Sequence, residues 1–193
     1  MTEILLFHHA QGLTPGVRAF ADDLRAGGHI VHTPDLFDGR TFQSIDEGLA
    51  YIAEIGFDEM RERGVRVADE LPPALVYAGF SFGVLPAQKL AQTRAGAREH
   101  CSSTLACRSV ASGPSDPGRM ASRSRSMVWR TIRSSSALGD IDAAREIVEK
   151  VEDAELFLYP GDQHYFADSS LPSCDANATA LLTNRVLEFL DRV

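Results

Sequence analysis

The pentapeptide GFSFG, residues 79–83, sets Ser81 between two glycines, directly after the apolar run 74–80 (ALVYAGF) and ahead of a helical pattern over 84–93. In that context the spacing suits a nucleophile elbow. Small residues flank a tight strand-to-helix turn that holds a serine out above a sheet. The letters alone are weak, since a turn whose glycines only permit close packing gives the same pattern. A serine hydroxyl also needs a neighbouring base before it can attack a carbonyl. The chain offers His8, His9, His29, His32, His100 and His164. His29 and His32 fall in the apolar run 29–33 and read as structural. His164 stands in YPGDQHYFAD, just past the apolar run 155–159, on a loop marked by Pro160 and Gly161. It follows the serine and the last strand, which is the order in which a base follows a nucleophile elbow. Ser81 and His164 are therefore the candidate catalytic pair. A metal site built from His8, His9 and His32 is disfavoured, because adjacent strand residues point to opposite faces and cannot easily share one ion.

The elements that must position this pair follow from periodicity. Residues 3–8 (EILLFH) read as a buried strand. Thr14 offers an N-cap with Pro15 at the first helical position, and Val17, Phe20, Ala21 and Leu24 carry the apolar face as far as Gly27 and Gly28. A second strand spans 29–33. Ser44 and Glu47 form a capping-box pattern ahead of Leu49, Ile52, Ile55 and Met60, read as one helix. Strands over 74–80 and 155–159 and helices over 84–93, 141–151 and 182–190 complete the pattern. Strands separated by helices of this length imply an α/β fold, with a mostly parallel sheet covered on both faces and one domain over 1–193.

Three stretches, RAGGHIVHTPDLFDG (25–39), GFSFG (79–83) and LYPGDQHYFAD (158–168), resemble the dienelactone hydrolase family of the α/β-hydrolase fold. The likeness covers the first ~95 and the last ~55 residues, and its motifs are moderately specific. The founding members carry cysteine where this chain has Ser81, and usually a second glycine where it has Val84. The resemblance implies hydrolysis of a small ester or lactone, with no cofactor. It also implies that the backbone N–H groups of Ala10 and Phe82 would stabilise the charge developing on the carbonyl oxygen. The serine leaves the lactone itself open as substrate, since serine-bearing relatives take varied small esters.

That fold requires two further strands between elbow and histidine, with the triad acid after the second. Residues 98–136 show neither alternation nor a helical period. They hold 11 of the chain's 16 serines, 7 of its 17 arginines, Cys101, Cys107 and the only tryptophan, Trp129. One account is a basic Ser/Arg insert with a regulatory or binding role. Such an insert would add to the fold's elements rather than replace them. A local shift of reading frame accounts for the segment better, because local pattern and global fold then agree. Read one base out of step, His100–Cys101 gives leucine, Met127–Val128 gives glycine, and Trp129–Arg130 gives alanine for any CGN arginine. Arg130–Thr131 and Thr131–Ile132 each allow aspartate. On this reading strands are expected near 101–106 and 121–127, both in the central sheet. In the written sequence the triad acid is unknown: Asp116, Asp140 and Asp142 are available, and Asp140 suits a helix cap better.

The net charge of −8 argues against nucleic acid or an anionic membrane as partner. No apolar run approaches the ~20 residues of a spanning helix, and residues 1–12 lack the basic and apolar regions of a signal peptide. Three cysteines without metal-type spacing suit a reduced, cytoplasmic protein. The expectation is a monomer or small homo-oligomer acting on a small molecule. The rival is a non-catalytic α/β-hydrolase relative with an incomplete triad, serving as a binding or structural protein.

Overall fold

Alternation in the first strand divides the interior in two. In β1 (Glu3–Phe7) Ile4 and Leu6 face one side, while Leu5 and Phe7 face the other, and all four are buried. This is the pattern of a parallel strand covered on both faces. The computed structural model describes residues 1–95, 99–103, 126–131, 149, 155–159 and 163–193. Within them the chain continues through α1 (Pro15–Ala26), β2 (Ile30–His32), α2 (Ile45–Ile55), α3 (Phe57–Val67), β3 (Val76–Phe80) and α4 (Val84–Thr93). β4 (Glu99–Ser103), β5 (Ser126–Thr131), β6 (Glu155–Tyr159) and α5 (Ala176–Asp191) follow. The strands form one sheet in the order β2-β1-β3-β4-β5-β6, every neighbouring pair parallel.

Ile4, Leu6, Val76 and Ala78 meet Val17, Phe20 and Leu24 of α1 and Leu182, Val186 and Phe189 of α5. On the opposite face Leu5, Phe7 and Tyr77 meet Ile52 of α2, Met60 of α3, and Ala87 and Leu90 of α4. The start of α1 is as read from the sequence: Thr14 accepts from the Val17 N–H at 3.2 Å, with Pro15 next. The single helix expected after Ser44 is instead two. Gly56 adopts φ 104°, a left-handed conformation that most side chains avoid, and there α2 ends and α3 begins. Of the helix expected over 141–151 only Glu149 is described, and it is helical.

Two strands do occupy the stretch in which the written residues show none. β4 pairs with β3, setting Ser103 opposite Phe80, and β5 pairs with β4. They lie at 99–103 and 126–131, where strands near 101–106 and 121–127 were expected, so the second begins about as late as the expected one ends. The rest of residues 98–136, Arg123 and Arg125 included, lies outside the described residues.

The chain moves from β1 outward to β2, then crosses back to place β3 on the other side of β1. A reversal of that kind opens a crevice beyond the carboxyl ends of the two strands, where α/β sheets bind ligands. His8 to Gly12 leave β1 there, and Ser81 leaves β3.

Candidate active site

Ser81 follows β3 directly and opens a single 3₁₀ turn, Ser81–Gly83, that runs into α4. Its φ is 49°, the left-handed region that a serine enters only when its surroundings impose it. The flanking glycines show what imposes it. A Cβ on Gly79 would stand 2.2 Å from the Gly83 carbonyl oxygen, and one on Gly83 would stand 2.6 Å from the Phe7 oxygen and 2.7 Å from the His8 oxygen. The turn is thus pressed against the end of β1, and neither position admits a side chain. The cost of the serine's conformation, about 1–3 kcal/mol, is borne by that packing.

The constrained hydroxyl meets the candidate base. Ser81 Oγ lies 3.0 Å from His164 Nε2, although 83 residues separate them in sequence. Ala10 and Phe82, the residues expected to offer backbone N–H groups, are both buried at the crevice. The His9–Gly12 turn is closed by a bond from the Gly12 N–H to the His9 oxygen at 3.0 Å. α2 presses on the same loop, since a Cβ on Gly48 would stand 1.8 Å from the Ala10 oxygen. The candidate acids Asp116, Asp140 and Asp142 lie outside the described residues, as does the chain that follows β5, where the triad acid was expected. Thr131, the last residue of β5, pairs with Tyr159, five positions before His164.

No family model matches the sequence, and no curated protein matches it. Solved structures do. A dienelactone hydrolase-like promiscuous phosphotriesterase from metagenomic libraries superposes with a TM-score of 0.71 at 16% identity, covering 100% of this chain and 86% of its own. A dienelactone hydrolase from Anabaena variabilis gives 0.59 at 16% identity, over 97% and 84%. The esterase PE8 gives 0.60 at 13% identity, over 97% and 92%. The fold is that of an α/β hydrolase.

Within this hydrolase fold a second histidine–carboxylate pair lies next to the first site. His9 Nε2 is 2.7 Å from Asp168 Oδ2, and both side chains are almost wholly buried. Thr14 Oγ1 also donates to Oδ2, while the Ser170 hydroxyl and N–H donate to Oδ1 at 2.6 and 2.9 Å. Burial pushes the Asp168 carboxyl up, but the bonds from His9, Ser170 and Thr14 outweigh it and hold the pKa at about 2. The Gln11 N–H donates to His9 Nδ1 at 3.2 Å. One ring nitrogen therefore accepts and the other meets the carboxylate. Asp168 thereby anchors the loop that carries Ala10. The adjacent His8 is also buried but turns elsewhere. Its Nδ1 donates to the His9 oxygen at 2.8 Å, and its Nε2 accepts from the Leu36 N–H at 3.0 Å. His32 meets Glu3 at 2.7 Å. The three histidines weighed as a metal group thus have three different sets of partners.

Neither Asp168 nor the pairing of His9 is visible as a motif, although Asp168 closes the quoted LYPGDQHYFAD stretch. His9, Ser81, His164, Tyr165 and Asp168 together line an enclosed cavity of about 10 Å³, the size of one water molecule. A cleft of about 770 Å³ is lined by Gln11, Gln43, Ser44, Gln163, Ser173 and Asp175 among others. Two of its lining residues are sequence neighbours of the site: Gln11 follows Ala10, and Gln163 precedes His164. Among the described residues no helix is long and apolar enough to cross a membrane.

Proposed function

We propose that this protein hydrolyses a small carboxylic ester or lactone through an acyl-enzyme on Ser81, as a serine-bearing relative of the dienelactone hydrolases. The observation that carries the proposal is the 3.0 Å contact between His164 Nε2 and a serine held at φ 49°. Strain at the serine and a base within hydrogen-bond reach are together the signature of an activated nucleophile. Ser81 Oγ attacks the carbonyl carbon while His164 Nε2 takes its proton. The negative charge on the former carbonyl oxygen is met by the N–H groups of Ala10 and Phe82. His164 then delivers the proton to the leaving alkoxide, and the ester bond breaks. Water, deprotonated by the same nitrogen, attacks the acyl-enzyme and releases the acid and Ser81.

A fluorophosphonate probe and p-nitrophenyl acetate test the proposal together. The wild-type protein should label and turn over. Ser81→Ala should do neither, and His164→Ala should lose turnover by at least about 10³-fold. Turnover that survives in Ser81→Ala refutes the nucleophile, and a wild-type chain inert to both reagents favours the non-catalytic rival.

A further inference from the structure

Tyr165 is a buried polar group at the site that the mechanism leaves unused. It is 6% exposed, and its ring is stacked between two histidines, 4.2 Å from His9 at an interplanar angle of 15° and 4.6 Å from His164 at 49°. Its hydroxyl is buried without a hydrogen bond of normal geometry among the described residues. Tyr165 lines the small cavity together with Ser81 and His164, and the Ser81 side chain and the Ala10 backbone both act on its ionisation. Leaving a buried hydroxyl unsatisfied costs about 1–3 kcal/mol, so its placement calls for a partner that arrives later. Of the two groups that act on it, one is the nucleophile and the other carries one of the N–H groups that border the place where the carbonyl oxygen becomes negative.

We infer that Tyr165 is a third donor of the oxyanion hole, its O–H bonding to the substrate oxygen beside the N–H groups of Ala10 and Phe82. The inference rests on Ser81 being the nucleophile. No bond at Tyr165 forms or breaks; the phenol keeps its proton and supplies a dipole aimed in advance at the developing charge. Burial favours that protonated form, and the influence of Ser81 and Ala10 offsets it only in part. The ring cannot easily swing aside, because His9 beneath it is fixed by Asp168 on one nitrogen and by the Gln11 N–H on the other. A single dipeptide, His164-Tyr165, would then supply both the base and an oxyanion donor.

Tyr165→Phe removes one oxygen and keeps both stacks. With p-nitrophenyl acetate its kcat should fall on the order of 10²-fold with little change in KM. Its affinity for a trifluoromethyl ketone, which forms a hemiketal oxyanion on the serine, should weaken by a similar factor. The melting temperature should stay near that of the wild type. Unchanged kcat and ketone affinity overturn the inference. So does a raised kcat, which would mean that the hydroxyl blocks the hole, and so does a fall in kcat with undiminished ketone affinity, which marks a structural role. Ser81→Ala in the same assay separates the two layers. If it retains turnover, the nucleophile reading fails and takes this one with it. If it is inactive while Tyr165→Phe is unimpaired, only the third donor is lost.

Discussion

Acid should destabilise this protein through His8 well before its carboxylates protonate. The ring is fully buried at the end of β1, edge-on to Phe37 at 4.6 Å, with Nδ1 donating and Nε2 accepting. A second ring proton would point Nε2–H at the Leu36 N–H, so only the neutral form fits. Burial lowers the pKa from 6.5 to about 4, and the Asp35 carboxylate, 4.0 Å away, recovers only a small part. Because the folded pKa is the lower one, the unfolded chain binds more protons between pH 6.5 and 4. The stability that neutral His8 contributes is therefore fully present above pH 6.5 and is lost as the pH falls toward 4. At 1.36 kcal/mol per pKa unit the full loss is about 3 kcal/mol, of which about 2 kcal/mol is gone by pH 5. His29, also lowered by burial, adds in the same direction. His8→Gln keeps an acceptor near the Leu36 N–H and removes the titration while leaving His29 in place. Urea unfolding at pH 7.5 and pH 5 should show the variant less stable at pH 7.5, yet losing about 2 kcal/mol less than the wild type between the two. Equal losses in both proteins would refute the assignment.

Two further perturbations address the frame around the serine. Gly83→Ala drives a Cβ into the backbone of β1; it should cost about 2 kcal/mol in urea unfolding and slow fluorophosphonate labelling of Ser81 more than it lowers stability at the assay temperature. Asp168→Asn turns an acceptor toward the donors of His9, Thr14 and Ser170 into a mixed amide, and should cost about 3 kcal/mol at pH 7. The wild-type carboxylate has a folded pKa below its unfolded value of 3.8, so its contribution is present above pH 3.8 and disappears as the pH falls toward 2. The difference between the two proteins should accordingly narrow over that range, as measured by unfolding at successive pH values.

The sequence made legible what depends on local pattern. Thr14 and Pro15 announce α1, strands separated by helices announce a parallel sheet covered on both faces, and two glycines around Ser81 announce a tight turn. The break at Gly56 escaped because a helical apolar pattern continues across it, and a single positive φ leaves no periodic trace. β4 and β5 were expected in the sheet, near 101–106 and 121–127, but not from their own residues. EHCSS and SMVWRT carry no strand-like alternation, and only the requirement of a continuous sheet points to strands there. The Asp168–His9 pair joins positions 159 residues apart, and no local signal records which distant side chains will meet. Tyr165 was readable as part of a loop motif, but its stacking between two histidines was not.

The separation of Ser81 from His164 has a kinetic consequence. Two strands of the sheet intervene, and β6 reaches its place only by pairing with β5, itself paired with β4. Contacts this distant in sequence close late in folding, because the chain entropy of the intervening loop must be given up before the contact forms. The serine is positioned by its own neighbourhood of β1, β3 and α4, but it gains a base only once the far edge of the sheet has been laid down. During refolding, reactivity toward a phosphonate would therefore report the arrival of the C-terminal third of the chain, later than any signal from Tyr77 or Phe7. The proposed chemistry of this molecule would thus double as a clock for its own assembly.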